Sequence, residues 1–297
     1  MNVLLILLIL SAGDYNDPAR IAELEATAMQ KPDDLTSRLK LAEIFIKQGN
    51  YTEAERYLKQ AHIVDSTSAE LLFLWGMFYD SQDNIPAALQ KYLSAVEYDS
   101  TQSQAWRKLG YLYEITCNYE AMLGCFKKAL VTTDDSSGVY YDMGVTYDYL
   151  DSIVLALESY YKALKTGAGF PEVYFNIGVD WGLAGYSDSA FYYFSKVLNM
   201  LDSTHTDFQI SKLYYNIGIL MMESGVYEQA MDNFMKTLSY DPDFSPAKLQ
   251  LGYLYEIMGD TGLAKVYFNE FVQTAPIIYL DDINKIKEKL NKHNHNK

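Results

Sequence analysis

Bulky apolar residues return along this chain at a fixed distance. Leu58, Tyr92, Phe126, Tyr160 and Phe194 stand 34 residues apart, and Phe234 and Phe268 keep that spacing after one longer gap. Sixteen positions before them fall Gly76, Gly110, Gly144, Gly178, Gly218 and Gly252, with Ala42 where the series begins. Twelve after the glycine comes a small residue: Ala54, Ala88, Ala156, Ala190, Ala230 and Ala264. Three beyond the bulky residue stand Ala61, Ala95, Ala129 and Ala163. Small residues at these points let neighbouring helices approach closely, and the large ones fill the space beside them. Each period is divided by a turn such as Gln48-Gly49-Asn50-Tyr51, Ser224-Gly225-Val226-Tyr227 or Met258-Gly259-Asp260. Glycine just past an apolar stretch stops a helix. A fixed period of this size predicts stacked helical hairpins, each contacting only its neighbours.

The segment Trp106-Arg107-Lys108-Leu109-Gly110-Tyr111-Leu112-Tyr113 carries the opening of a known pattern, and Leu251, Gly252, Tyr255, Ala264, Phe268 and Pro276 carry most of the rest. These residues resemble the tetratricopeptide repeat. Seven repeats fit, at 35–68, 69–102, 103–136, 137–170, 171–204, 211–244 and 245–278. Residues 18–30 read as the second helix of an unfinished repeat, with Leu24 and Pro32 in register and Arg20 and Thr27 replacing its small residues. Departures within the seven are mild: Met122 replaces a small residue, and Val197, Thr237 and Phe271 replace the later alanine. Where the closing proline is missing, Asp65-Ser66, Asp99-Ser100 and the stretch 134–137 supply residues able to cap the next helix.

The fold class implied is all-α: a right-handed superhelical solenoid of about seven tetratricopeptide hairpins, with an N-terminal half-repeat (14–34) and a C-terminal capping helix and polar tail (279–297). The repeats fill 35–278, with an insertion near 198–210 that is six residues longer than the period requires and reads as a lengthened loop. In the tail, Ile283, Ile286 and Leu290 are expected to face inward.

The resemblance also implies a ligand groove lined by the first helix of each repeat. Its positions, three before and one, four or five after the glycine, give Phe73, Met77 and Asp80; Arg107, Tyr111 and Glu114; then Tyr141, Val145, Asp148 and Tyr149. Later repeats give Phe175, Val179 and Leu183; Tyr215, Ile219, Met222 and Glu223; then Leu249, Tyr253 and Glu256. The stripe is aromatic and aliphatic, dotted with acids, and Arg107 is its main positive exception. Tyrosine and methionine supply adaptable contact area to a bound chain. Some of these tyrosines are alternatively core residues. Asn176 and Asn216 resemble the asparagines with which some family members hold a peptide backbone, and capping or core bonding is the alternative for them. The lysine–asparagine clamp that other members use for a terminal carboxylate is missing.

Charge narrows the partner. The 297 residues carry a net −15, and because 281–297 holds five lysines against three acids, the remainder carries −17. That field repels phosphate backbones, so nucleic acid is excluded as an expected partner. No nucleotide, hydrolase or metalloprotease motif occurs, and His62, His205, His293 and His295 form no closed metal set, so no enzyme activity, cofactor, small-molecule cofactor partner or metal is expected. Cys117 and Cys125 read as packing residues beyond disulfide reach. Val3–Leu10 is eight consecutive aliphatics, too short to span a bilayer. Followed by Ser11-Ala12-Gly13, it resembles a signal peptide covering 1–13, which implies an extracytoplasmic, periplasmic location; a cytoplasmic protein with an apolar end is the alternative.

The sequence therefore points to a scaffold that holds a partly apolar, neutral-to-basic protein or peptide segment in its concave groove. A structural assembly subunit of an envelope or secretion complex, or the recruiting subunit of an enzyme complex, are the alternatives.

Overall fold

The computed structural model describes residues 17–133, 135–201 and 210–295, with side chains to 291. The apolar segment before Asp17, His205 and most of the long loop lie outside these residues, as do the side chains of His293 and His295. Among the described residues every regular element is helical. No helix among them is long and apolar enough to cross a membrane.

The chain forms two compact units that meet in sequence at Thr166–Gly167. The first contains α1 (Pro18–Gln30), α2 (Leu35–Lys47), α3 (Tyr51–Val64), α4 (Ala69–Asp80), α5 (Ile85–Tyr98), α6 (Ser103–Ile115), α7 (Tyr119–Thr132), α8 (Ser136–Tyr149) and α9 (Ile153–Thr166). The second contains α10 (Pro171–Leu183), α11 (Ser187–Met200), α12 (Ile210–Glu223), α13 (Tyr227–Tyr240), α14 (Ser245–Ile257), α15 (Thr261–Thr274) and α16 (Leu280–His295), with a short 3₁₀ turn at Ile277–Tyr279. From α2 to α15 the helices pair as antiparallel hairpins, one pair per repeat.

The periodic glycines have a steric cause. A Cβ on Gly76 would stand 2.4 Å from the ring of Tyr92, and one on Gly110 would stand 2.5 Å from Phe126. The other four meet Tyr160, Phe194, Phe234 and Phe268 at 2.4–2.6 Å. Each glycine thus opens a slot for the bulky ring of its own hairpin, and all six rings are buried.

Each hairpin turn repeats one geometry. The residue seven after the glycine position has positive φ: Gly49, Asp83, Cys117, Asp151, Gly185, Gly225 and Gly259. The next amide donates back to the carbonyl five residues earlier, as Asn50 does to Phe45 at 2.9 Å and Asn118 to Tyr113 at 2.9 Å. This is the Schellman ending of a helix, in which the left-handed residue turns the chain and satisfies a last-turn carbonyl. Asn50, Asn84 and Asn118 then cap the following helix through their side chains.

The ends of the repeats differ in part from expectation. Asp65 and Asp99 do not cap the next helix; each accepts from the amide and hydroxyl of a threonine two residues on. Ser68 caps α4 instead, and α6 has no side-chain cap. Asp17 caps α1, with Pro18 at its first position. Buried Arg38 of α2 ties α1 down by donating to the carbonyls of Ala28 (2.8 Å) and Lys31 (3.2 Å). At the other end Ile283 and Ile286 of α16 are buried with Phe268 and Phe271, and Leu290 packs beside them.

Candidate functional site

From the second repeat to the seventh, each first helix places one aromatic ring from the expected stripe against the bulky ring of its own hairpin. In the first unit Phe73 lies 5.7 Å from Tyr92, Tyr111 lies 5.6 Å from Phe126, and Tyr141 lies 5.9 Å from Tyr160. In the second, Phe175 lies 5.9 Å from Phe194, Tyr215 lies 5.6 Å from Phe234, and Tyr253 lies 5.2 Å from Phe268. These six aromatic residues are half-buried, as are Met77, Val145, Val179 and Ile219. Their rings serve the hairpin on one side and are accessible on the other. A ring stands either three before the glycine or one after it, never both, because both positions face the same bulky side chain.

The acids of the first unit are engaged as well. Asp80 accepts from Lys108 Nζ (3.2 Å) and from the Tyr92 hydroxyl (3.4 Å). Asp148 accepts from the Tyr160 hydroxyl. Aspartate four after the glycine thus accompanies tyrosine, not phenylalanine, at the bulky position. Glu114 accepts from the Tyr149 hydroxyl at 2.8 Å, and Tyr149 stacks on Tyr119 at 4.7 Å. That bond and partial burial push the Tyr149 hydroxyl up to about 12.

Arg107 is not an isolated cation in the stripe. It donates to Asp142 Oδ2 through Nη2 (2.7 Å) and Nε (3.0 Å), and the same oxygen accepts from Tyr111 (2.9 Å). Asp142 is buried, and its burial outweighs the attraction of Arg107, raising its carboxyl above the ordinary range. For Arg107 burial acts downward, but Asp142 and Tyr111 prevail and raise it. Asp142 was absent from the expected set. It stands two before Gly144, in the column that also holds Lys108, Asn176 and Asn216, so an acid in that column was the available signal.

In the second unit Asn216 donates to the carbonyl of Lys212 at 2.8 Å, a bond within its own helix. Glu223 and Leu183 are exposed, the latter at 70%. Tyr253 and Glu256 are covered by the chain itself: Lys289 of α16 pairs with Glu256 and lies 5.2 Å from the Tyr253 ring centre. The groove expected at the last repeat is therefore occupied by the terminal helix.

One cleft in the first unit includes Phe73 of the stripe. It encloses about 400 Å³ and is lined by Glu43, Glu70, Phe73, Leu74, Thr101, Gln102, Ser103 and Gln104. Its lining combines two apolar side chains, the hydroxyls and amides of residues 101–104, and two carboxylates. Glu43 is paired with Lys47 at 2.6 Å, while Glu70 is exposed.

The tetratricopeptide repeat model matches residues 35–61, 211–244 and 245–277. The chain carries tetratricopeptide repeats at these positions. Proteins with such repeats mediate protein–protein interactions. No curated protein sequence matches it. Solved structures share its fold. The APC/C hetero-tetramer Cut9–Hcn1 aligns with TM-score 0.66 at 15% identity, over 90% of this chain and 52% of that one. The chain thus spans about half the length of that relative. A tetratricopeptide repeat protein from Parabacteroides merdae aligns with TM-score 0.61 at 17% identity, over 85% and 96% of the two chains. YrrB, described as having an unusual peptide-binding site, aligns with TM-score 0.53 at 23% identity over 64% and 95%. At these identities the likeness concerns fold.

Proposed function

We propose that this protein is a non-catalytic scaffold that holds an extended, partly apolar, neutral-to-basic protein segment against its first helices. The cleft at Phe73 carries the reading. Phe73 and Leu74 offer apolar contact, residues 101–104 offer amides and hydroxyls suited to a peptide backbone, and Glu43 and Glu70 favour a lysine or arginine. The acid-dotted aromatic stripe extends the same chemistry along α6 and α8, and the net charge of −15 disfavours nucleic acid. The peptide-binding site described for YrrB is a precedent within the fold.

Fluorescence anisotropy against an unbiased peptide library tests the proposal. Basic, partly apolar peptides are expected to be selected, and Glu70→Lys is expected to weaken them about tenfold, since it reverses an exposed rim charge in contact with the ligand. Consistent selection of acidic peptides would overturn it. The assembly-subunit reading draws on one observation, the exposed run Ile277 (84%), Ile278 (82%) and Leu280 (50%). Light scattering decides between them, because a groove receptor remains monomeric without its ligand. For location, we take Val3–Leu10 as an export signal; N-terminal sequencing of the native protein that begins at Met1 would refute this.

A further inference from the structure

Two features of the second repeat, Trp75 and Lys91, meet in one cleft of the N-terminal unit. The residue before each glycine position is aliphatic and buried in six repeats, as at Leu41, Leu109 and Leu251. In the second repeat it is Trp75, only half-buried. Fifteen after the glycine position, the first, fifth and last repeats carry Tyr57, Tyr193 and Tyr267, and the rings of Tyr57 and Tyr267 lie flat on Phe45 (5.7 Å) and Tyr255 (5.4 Å). The second repeat carries Lys91 there instead. With no tyrosine to cover Tyr79, Trp75 stacks on it at 5.6 Å and 24°, and the space alongside stays open.

The result is a cleft of about 380 Å³ lined by Trp75, Tyr79, Ile63, Lys59, His62 and Lys91. Ile63 is 85% exposed at its edge. No carboxylate lines the cleft, although the chain as a whole is strongly acidic. Lys59 reaches Glu55 at 2.8 Å, while Lys91 makes no ion pair among the described residues. The indole N–H of Trp75 and the hydroxyl of Tyr79 likewise donate to no described group. Trp106, by contrast, donates to the Ser100 carbonyl and has Lys128 4.0 Å above its ring.

We propose that this cleft binds a small aromatic anion, its flat ring on Trp75 and Tyr79 and its carboxylate or sulfonate toward Lys91, His62 and Lys59. The volume suits a single small ligand. The ring faces supply stacking and the rim supplies charge. Size is restricted by the protein's own field: a net −15 opposes any polyanion, while a single charge at contact distance from lysine is attracted over a range of about 8 Å, the screening length in physiological salt. The site is separate from the peptide cleft at Phe73 and stands or falls independently of it.

The test is a titration of the ¹⁵N-labelled full chain with 2-naphthoate, following the indole signals of Trp75, Trp106 and Trp181. The Trp75 signal, identified by its absence in Trp75→Leu, is expected to shift saturably while the other two stay. Neutral 2-naphthamide is expected to bind about tenfold more weakly, for want of the charge contact. Lys91→Tyr, which restores the residue type of the first and last repeats, is expected to weaken naphthoate by a similar factor with unchanged helical circular dichroism. An unmoved Trp75 signal, equal affinity for the amide, or undiminished binding by Trp75→Leu would overturn the proposal. Displacement of naphthoate by poly-glutamate at lower concentration would overturn it too, since the ligand would then be an acidic polypeptide.

Discussion

Replacing Gly110 with alanine tests the packing rule that builds every hairpin. The new Cβ would stand 2.5 Å from Phe126 Cε1 and 2.7 Å from Cζ, against an ordinary contact near 3.5 Å or more. Relief requires the ring to move by about 1 Å, yet Phe126 is fully buried and holds Tyr111 against its other contacts. Overpacking of this kind costs about 1–3 kcal/mol. A rigid ring, not a flexible chain end, is the obstacle, so the upper part of that range applies. Alanine gains about 1 kcal/mol of helix propensity over glycine. The net expectation is a loss of about 1–2 kcal/mol. Gly124→Ala is the internal control: it lies in α7 of the same hairpin with nothing within 4 Å, so only the propensity gain of about 1 kcal/mol remains. Urea unfolding followed by circular dichroism compares the two, and hydrogen exchange in α6 and α7 localises the effect, because a repeat array need not unfold in one step. In a Phe126→Leu background the penalty of Gly110→Ala is expected to shrink toward zero. Equal stabilisation by both alanines, or strict additivity with Phe126→Leu, would refute the reasoning.

Other outcomes follow from the same geometry. Cys117 holds φ 53° where four other turns use glycine, so Cys117→Gly is expected to stabilise by about 0.5 kcal/mol, the relief of left-handed strain exceeding glycine's added chain entropy, as measured by the thermal midpoint. Arg107→Ala leaves buried Asp142 without its cation; discounting for the one-third exposure of Arg107, a loss of about 2 kcal/mol is expected, and Asp142→Asn in that background is expected to restore part of it. The Tyr149 hydroxyl is raised from 10.0 to about 12, so its contribution is complete below pH 10 and lost as pH rises through 12; ultraviolet titration of Glu114→Gln is expected to show one fewer late-titrating tyrosine than the unsubstituted protein. Asp34 is lowered by its side-chain and backbone bonds to Ser37, so its contribution is present above 3.8 and fades as pH falls through the folded value, which carboxylate NMR titration checks.

The order of residues along the chain was enough for the hairpins. A glycine, an alanine twelve later and a ring four beyond that report a local contact between consecutive helices, and contacts within about 30 residues leave their trace in periodic spacing. Four of the seven turns were readable for the same reason: a glycine after an apolar stretch needs no distant partner to end a helix. The stripe residues were assigned to the first helices by the resemblance to the tetratricopeptide repeat, and they lie on those helices. What each does there depended on neighbours that spacing does not name. Asp142 reaches back 35 positions to Arg107, and Lys289 reaches 33 to Glu256, so that one cation of the stripe is neutralised and one acid is covered. Trp75 and Lys91 look like isolated irregularities in sequence, and only packing shows that both open onto a single cleft. The sequence determines a repeated backbone because each unit solves the same local packing problem; the tertiary structure decides which polar groups are spent on the next repeat and which remain for a partner, because that depends on side chains meeting across units.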